Sequence, residues 1–138
     1  MRYLLDTNVV SESYRGRRTN PAVEAWLADV DPGSLSISSL VLAELRIGAQ
    51  RFARRDARGG ALIGAWVDEI RGLFADRTFT VDTAIAERWA RLSVPDPLPF
   101  VDGILAATAL EHDLTLVTRN TKDVERTGVK LLNPFRPR

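Results

Sequence analysis

The chain has 138 residues, enough for one domain that buries roughly two thirds of the surface its unfolded chain exposes. Its 19 basic and 18 acidic residues leave a net charge of +1, so no global field directs it to nucleic acid, and any polyanion must be held by local patches. The absence of cysteine excludes disulfides, zinc–thiolate sites and thiol catalysis together.

In chain order, Tyr3-Leu4-Leu5 is a short apolar run that does not alternate with polar residues, the pattern of a central parallel strand buried on both faces. It ends in Asp6-Thr7-Asn8, and Thr7 to Ser13 can form a short helix, followed by the basic loop Arg15-Gly16-Arg17-Arg18. Asn20-Pro21 starts a helix by cap and first-turn proline, with Val23, Trp26, Leu27 and Val30 as its core face, and Asp31-Pro32-Gly33 ends it. Leu35 to Ser38 reads as a second strand, and Ser39 as the cap of a helix running from Leu40 toward Phe52. Asp56 to Gly60 interrupts the pattern before a third long helix with Leu62, Ile63, Trp66, Val67, Ile70, Leu73 and Phe74 on one stripe. Thr78 to Val81 alternates like a strand, and Asp82 caps a helix that buries Ile85, Trp89 and Leu92. The proline-rich Pro95 to Pro99 is a loop, Phe100 to Leu110 an apolar helix, and Leu114 to Thr118 a strand. Arg119 to Thr127 makes a turn and short helix before a last strand at Val129 to Leu132. Strands alternating with helices predict an α/β fold around a parallel sheet, without repeats or low-complexity segments.

The start MRYLLDTN lacks the basic region and long apolar stretch of a signal peptide, and no apolar run approaches the ~20 residues that span a bilayer. The expected location is the cytoplasm.

Chemistry is signalled by acids in apolar surroundings. The helical neighbours of Glu44 are Leu40, Val41, Ile47 and Gly48, a face on which a lone charge is costly unless it escapes to solvent, meets an arginine or binds a metal. Asp102 interrupts a helix that is apolar nearly all round, beside Gly103, whose missing side chain lets another group come close; the helix dipole alone also favours an acid in this first turn. Asp6 can simply cap the next helix, and Asn120 with Asp123 has the spacing of a cap with an acid at the third position. Parallel strands nevertheless bring most of these positions to one sheet edge, where the ligand crevice of an open sheet lies. Carboxylates ~4 Å apart repel by about 1 to 4 kcal/mol per pair, which protonation or a cation must relieve. All-oxygen ligands suit Mg²⁺ or Mn²⁺, which can activate water and bind a phosphoryl oxygen.

Other candidates are thin. His112, the one histidine, sits near a helix end where positive charge is favoured, and Trp26, Trp66 and Trp89 fall on core stripes. No nucleotide-binding glycine motif is present. Arg51, Arg54, Arg55 and Arg58 read as a solvated face.

An apolar strand ending in Asp6-Thr7-Asn8, a helix with Ala43-Glu44-Leu45 and Gly48, the run Phe100-Val101-Asp102-Gly103 through Ala109, and Leu116-Val117-Thr118-Arg119-Asn120 resemble the PIN-domain ribonucleases. The likeness is to the VapC-type toxins of type II toxin–antitoxin pairs, including the FitB-like branch, and it covers the chain as far as Asn133-Pro134-Phe135. It implies a single PIN domain over residues 1–138, with a parallel sheet of four or five strands flanked by helices. It further implies a catalytic set of Asp6, Glu44, Asp102 and Asn120, with Asp6, Glu44 and Asp102 as the acids holding Mg²⁺ or Mn²⁺. Thr7, Asn8 and Thr118 would support them. Many relatives carry aspartate at the position of Asn120, for which Asp123 could compensate. RNA would be held by Arg15, Arg17, Arg18, Arg46 or Arg119. The expected partners are an RNA substrate, a second copy in a homodimer, and an antitoxin whose C-terminal segment crosses the acidic site. The stripe around Leu62, Trp66 and Ile70 serves the core and could also bury part of that antitoxin.

Two other classes stay open. One is a haloacid-dehalogenase-like phosphatase with Asp6 as nucleophile, although its helper acid two residues on is here Asn8. The other is a non-catalytic module whose acids receive a partner's basic segment.

Overall fold

The computed structural model describes residues 1–137. Five strands, β1 (Tyr3–Leu5), β2 (Leu35–Ser38), β3 (Thr78–Phe79), β4 (Thr115–Val117) and β5 (Leu131–Leu132), form an all-parallel sheet in the order β3-β2-β1-β4-β5. Six helices cover it: α1 (Thr7–Ser13), α2 (Pro21–Asp29), α3 (Ser39–Ala53), α4 (Ala57–Leu73), α5 (Thr83–Leu92) and α6 (Phe100–His112). The expected α/β class and parallel sheet are therefore present. Central position explains the unalternating β1: Leu4 and Leu5 are buried, and β1 pairs with β2 on one side and β4 on the other.

The chain winds outward from β1 through β2 to β3, then returns to the other side for β4 and β5. The reversal makes the gap between β1 and β4 the topological switch point, where open α/β sheets place their ligands at the carboxyl ends of the strands. Asp6 follows β1 and Thr118 follows β4 at that end.

Several local expectations are corrected. Ser38, not Ser39, caps α3, because its side chain is the one that accepts from the Leu40 amide, at 3.2 Å. Asp56 to Gly60 does not break the helix: Asp56 caps α4 through the Gly59 amide at 2.8 Å, and both glycines lie within the first turn. Close approach explains them. A Cβ at Gly60 would fall 2.3 Å from the Cβ of Ala53, so only glycine allows α4 to fold back this tightly on α3. Leu62 and Leu73 leave the predicted core stripe and are each 62 % exposed. The third strand stops at Phe79, the fifth begins at Leu131, and residues after Asn120 form two 3-10 turns, Thr121–Asp123 and Glu125–Thr127. Asn120 makes no side-chain cap there. His112 packs its ring on Phe79, 4.5 Å between centroids, while Asp113 ends α6 in the left-handed conformation at φ 53°.

The main core gathers Leu4, Val9, Ile37, Val41, Leu105 and Leu116 around the sheet, and a second cluster of Ile85, Ile104 and Ala107 joins α5 to α6.

Candidate active site

Asp6 is the fixed point of the crevice. Its residue is 4 % exposed, yet both carboxylate oxygens are engaged. Oδ1 accepts from the Thr7 amide at 2.7 Å, as an N-cap does, while Oδ2 accepts from the Thr118 hydroxyl at 2.7 Å and from the Asn8 side-chain amide at 3.3 Å. One oxygen thus faces the start of α1 and the other the β1–β4 gap. The Thr118 hydroxyl in turn accepts from the Asn120 amide at 3.0 Å, and the Asn8 oxygen accepts from the Arg119 amide at 3.3 Å. These bonds bridge the β1–β4 gap and leave Asp6 little rotational freedom.

The other acids come from helices. Glu44, in the second turn of α3, accepts a short hydrogen bond from the Thr7 hydroxyl at 2.5 Å. Its face is less apolar in effect than in sequence, because Ile47 is 46 % exposed and Gly48 is also open to solvent. Asp102 stands in the first turn of α6, beside seven consecutive buried residues from Gly103 to Ala109. The group that comes close at Gly103 is the indole of Trp89: a Cβ there would meet its Cδ1 and Nε1 at 3.0 Å.

Electrostatics tie the acids together. Burial raises the pKa of Asp6, against the lowering effect of its hydrogen bonds, and the charge of Glu44 adds to the rise. The Asp102 carboxyl is pushed up to about 6, first by burial and then by the charges of Asp6, Asp123 and Glu44. Asp123 therefore belongs to the same field. Asn120 is exposed and meets the network through its backbone amide.

Among the described residues no three acids or histidines stand at the spacing that would hold an ion as they are. Asp6 spends its oxygens on hydroxyl and amide donors, and Glu44 turns to Thr7. The donor chemistry nonetheless fits a hard divalent cation, since mutually repelling carboxylates with hydroxyl and amide support are what such ions take.

The arginines divide. Arg17 and Arg18 lie exposed in the turn Gly16–Arg18 and form no ion pair among the described residues. Arg15 pairs with Glu12 at 3.4 Å. Arg119 presents its amide to the crevice but lays its guanidinium over the Phe135 ring, 3.8 Å from the centroid. Arg46 points to α4, bonding the Gly64 carbonyl at 3.2 Å and Asp68 at 2.5 Å, because it sits two residues from Glu44 and so on another side of α3. In the sequence Trp66 reads as core or as part of a stripe that buries an antitoxin, and Tyr14 carries no signal. Their rings meet at 4.8 Å beside Glu44, a contact between distant helices with no local signal.

The crevice at the switch point gathers acids and carries no nucleotide-binding loop, and the PIN-domain family model matches residues 3–130. The chain belongs to the PIN-domain family. Toxin FitB of Neisseria gonorrhoeae is 32 % identical over 137 residues, covering 96 % of this chain and 97 % of its own. A tRNA(fMet)-specific endonuclease VapC of Shigella flexneri is 31 % identical over 129 residues, 93 % of each chain. A crystal structure of FitAcB from Neisseria gonorrhoeae matches with a TM-score of 0.87 at 31 % identity, over 97 % of this chain and 99 % of that one. Within the family this chain stands with the VapC- and FitB-type toxins. The phosphatase alternative falls with that membership, and Asn8, its substitute helper acid, is bound to Asp6 and Thr118.

Proposed function

We propose that this chain is the ribonuclease toxin of a type II toxin–antitoxin pair, and that it cuts RNA phosphodiester bonds at the cluster of Asp6, Glu44 and Asp102. The observation that carries the reading is the mutual charge of these acids at the switch point, within a chain about 30 % identical over nearly its whole length to a toxin and to a named endonuclease. Asp6, Glu44 and Asp102 would hold Mg²⁺ or Mn²⁺, with Asp123 adding charge. Such an ion, when bound, offsets the charge of the scissile phosphate and lowers the pKa of water enough to make it a nucleophile.

The chain's own residues set the conditions for this. Thr118 and Asn8 hold Asp6 in one orientation, and Thr7 does the same for Glu44. Asp102 exchanges its proton near pH 6, so at neutral pH its carboxylate is mostly charged and available to a cation. Arg17 and Arg18, exposed and without an ion pair among the described residues, would meet RNA phosphates. Asn120 supports Thr118 through its backbone rather than acting as a ligand.

The remaining proposals are a homodimer, a cognate antitoxin that covers the crevice, and action in the cytoplasm by a single 1–138 domain. No helix among the described residues is long and apolar enough to cross a membrane.

The test is cleavage of structured RNA by the purified protein. Activity should need Mg²⁺ or Mn²⁺, vanish in EDTA, and be lost in Asp6→Asn, Glu44→Gln and Asp102→Asn variants whose circular dichroism is unchanged. Full activity in all three overturns the assignment; a metal-stabilised but inactive wild type favours the non-catalytic module.

A further inference from the structure

Beside the acids lies a groove that the reaction as described does not use. It is a cavity of about 220 Å³ between α1, α3 and α4, and two of its wall residues, Thr7 and Glu44, belong to the acid cluster. Beyond them the walls are aromatic and apolar: Tyr14, Phe52, Ile63 and Trp66. Tyr14, which ends α1, is 43 % exposed, and its ring stands 4.8 Å from that of Trp66 at an interplanar angle of 54°. Gly48 opens the wall on α3, since a Cβ built there meets nothing within 4 Å. Ser11 contributes a hydroxyl at the rim. The cationic turn Gly16–Arg18 follows Tyr14 after Arg15.

We propose that this groove is a nucleobase subsite, in which a base adjoining the phosphate at the acid cluster stacks on Tyr14 and Trp66. The inference rests on the ribonuclease reading and adds to it the place where a base is held. Continuity decides the occupant. A chain whose phosphate reaches Glu44 and Thr7 has its neighbouring base at the mouth of the groove, where the exposed Tyr14 ring and the half-buried Trp66 ring stand near the unpaired Arg17 and Arg18, the combination of aromatic and cation that binds single-stranded nucleic acid. Ser11 offers the base edge a donor and an acceptor. A peptide would gain the same apolar contact and is the competing outcome of the test.

Fluorescence anisotropy with short labelled oligoadenylate, oligocytidylate and oligouridylate tests this against an abasic ribose-phosphate oligomer of the same length. Ca²⁺ serves as the divalent ion, and the oligomers are checked for integrity by gel. Stacking predicts that the wild type binds at least one base-bearing oligomer about ten- to a hundredfold more tightly than the abasic one. Gly48→Leu, which fills the groove from an exposed helical position, and Tyr14→Ala should each collapse that ratio while leaving abasic affinity unchanged. A ratio near one in the wild type, or an undiminished ratio in both variants, overturns the subsite. Weakened binding of the antitoxin's C-terminal peptide with RNA binding untouched would overturn it too, by making the groove a peptide dock. Parallel Mg²⁺ cleavage of total RNA separates the two readings. A wild type that cuts nothing brings down the ribonuclease assignment whatever the groove does, whereas normal cutting with an undiminished ratio brings down the subsite alone.

Discussion

Two helices deliver acids to the crevice, and they are built on different physical terms. The α6 helix is buried from Gly103 to Ala109, so Asp102 is carried on a rod whose position the core imposes, at the cost of desolvating its carboxyl. The α3 helix buries only the stripe Val41, Leu45 and Ala49, and Glu44 reaches the site along an open face, tethered by the Thr7 hydroxyl. A short acid on a rigid helix and a long acid on a half-solvated one thus bracket the fixed Asp6. The difference teaches that preorganisation here is divided: the core orients Asp102, and hydrogen bonds orient Asp6 and Glu44.

The comparison can be broken first at the acids themselves. Asp102→Asn should lower RNA cleavage by roughly a hundred- to a thousandfold, the scale of losing one preorganised electrostatic group. In EDTA above pH 6 the same variant should melt higher than the wild type, because it removes a desolvated charge. A lower melting temperature would show that Asp102 is a structural acid.

The buried rod is tested next. Ile104→Ala, at 2 % exposure, should cost about 2–5 kcal/mol in urea unfolding, whereas Ile47→Ala on the open face of α3 should stay within about 0.5 kcal/mol. Equal losses would erase the distinction between the two helices. A smaller effect is expected at the hydroxyl that spans the switch point. Thr118→Val leaves Asp6 Oδ2 with only the Asn8 amide and takes the acceptor from the Asn120 amide, and should cost about 1–3 kcal/mol, with reduced cleavage.

The gentlest probe is pH. Asp102 has its pKa raised from 3.8 to about 6, so between those values the folded chain holds a proton that the unfolded chain has lost. Its contribution to stability is therefore greatest below about pH 4 and declines as pH rises through 6. Urea titrations without divalent ions should show a steeper decline in the wild type than in Asp102→Asn, where Asp6, also raised by burial, still contributes. Mg²⁺ should restore stability above pH 6, by roughly 2.7 kcal/mol at a hundred times its dissociation constant.

Much of this was legible before any coordinates. Uninterrupted apolar runs marked buried parallel strands, Asn20-Pro21 marked a helix start, and Asp102 stood out because α6 has no polar face to receive it. Such signals are local: they depend on periodicity and on the cost of burying charge, which a single chain segment already displays.

Tertiary structure decided the rest, because it depended on which surfaces meet. Leu62 and Leu73 share a helical stripe with Val67 and Ile70, but α4 turns them to solvent. Arg46 and Glu44 are neighbours in sequence, yet one serves the α3–α4 contact and the other the crevice. Asn120 has the spacing of a cap and makes none with its side chain; its amide instead holds the hydroxyl that holds Asp6. The aromatic groove is the clearest case. Tyr14 and Trp66 lie far apart in the chain, and only the packing of both α1 and α4 on α3 brings their rings together beside the acids.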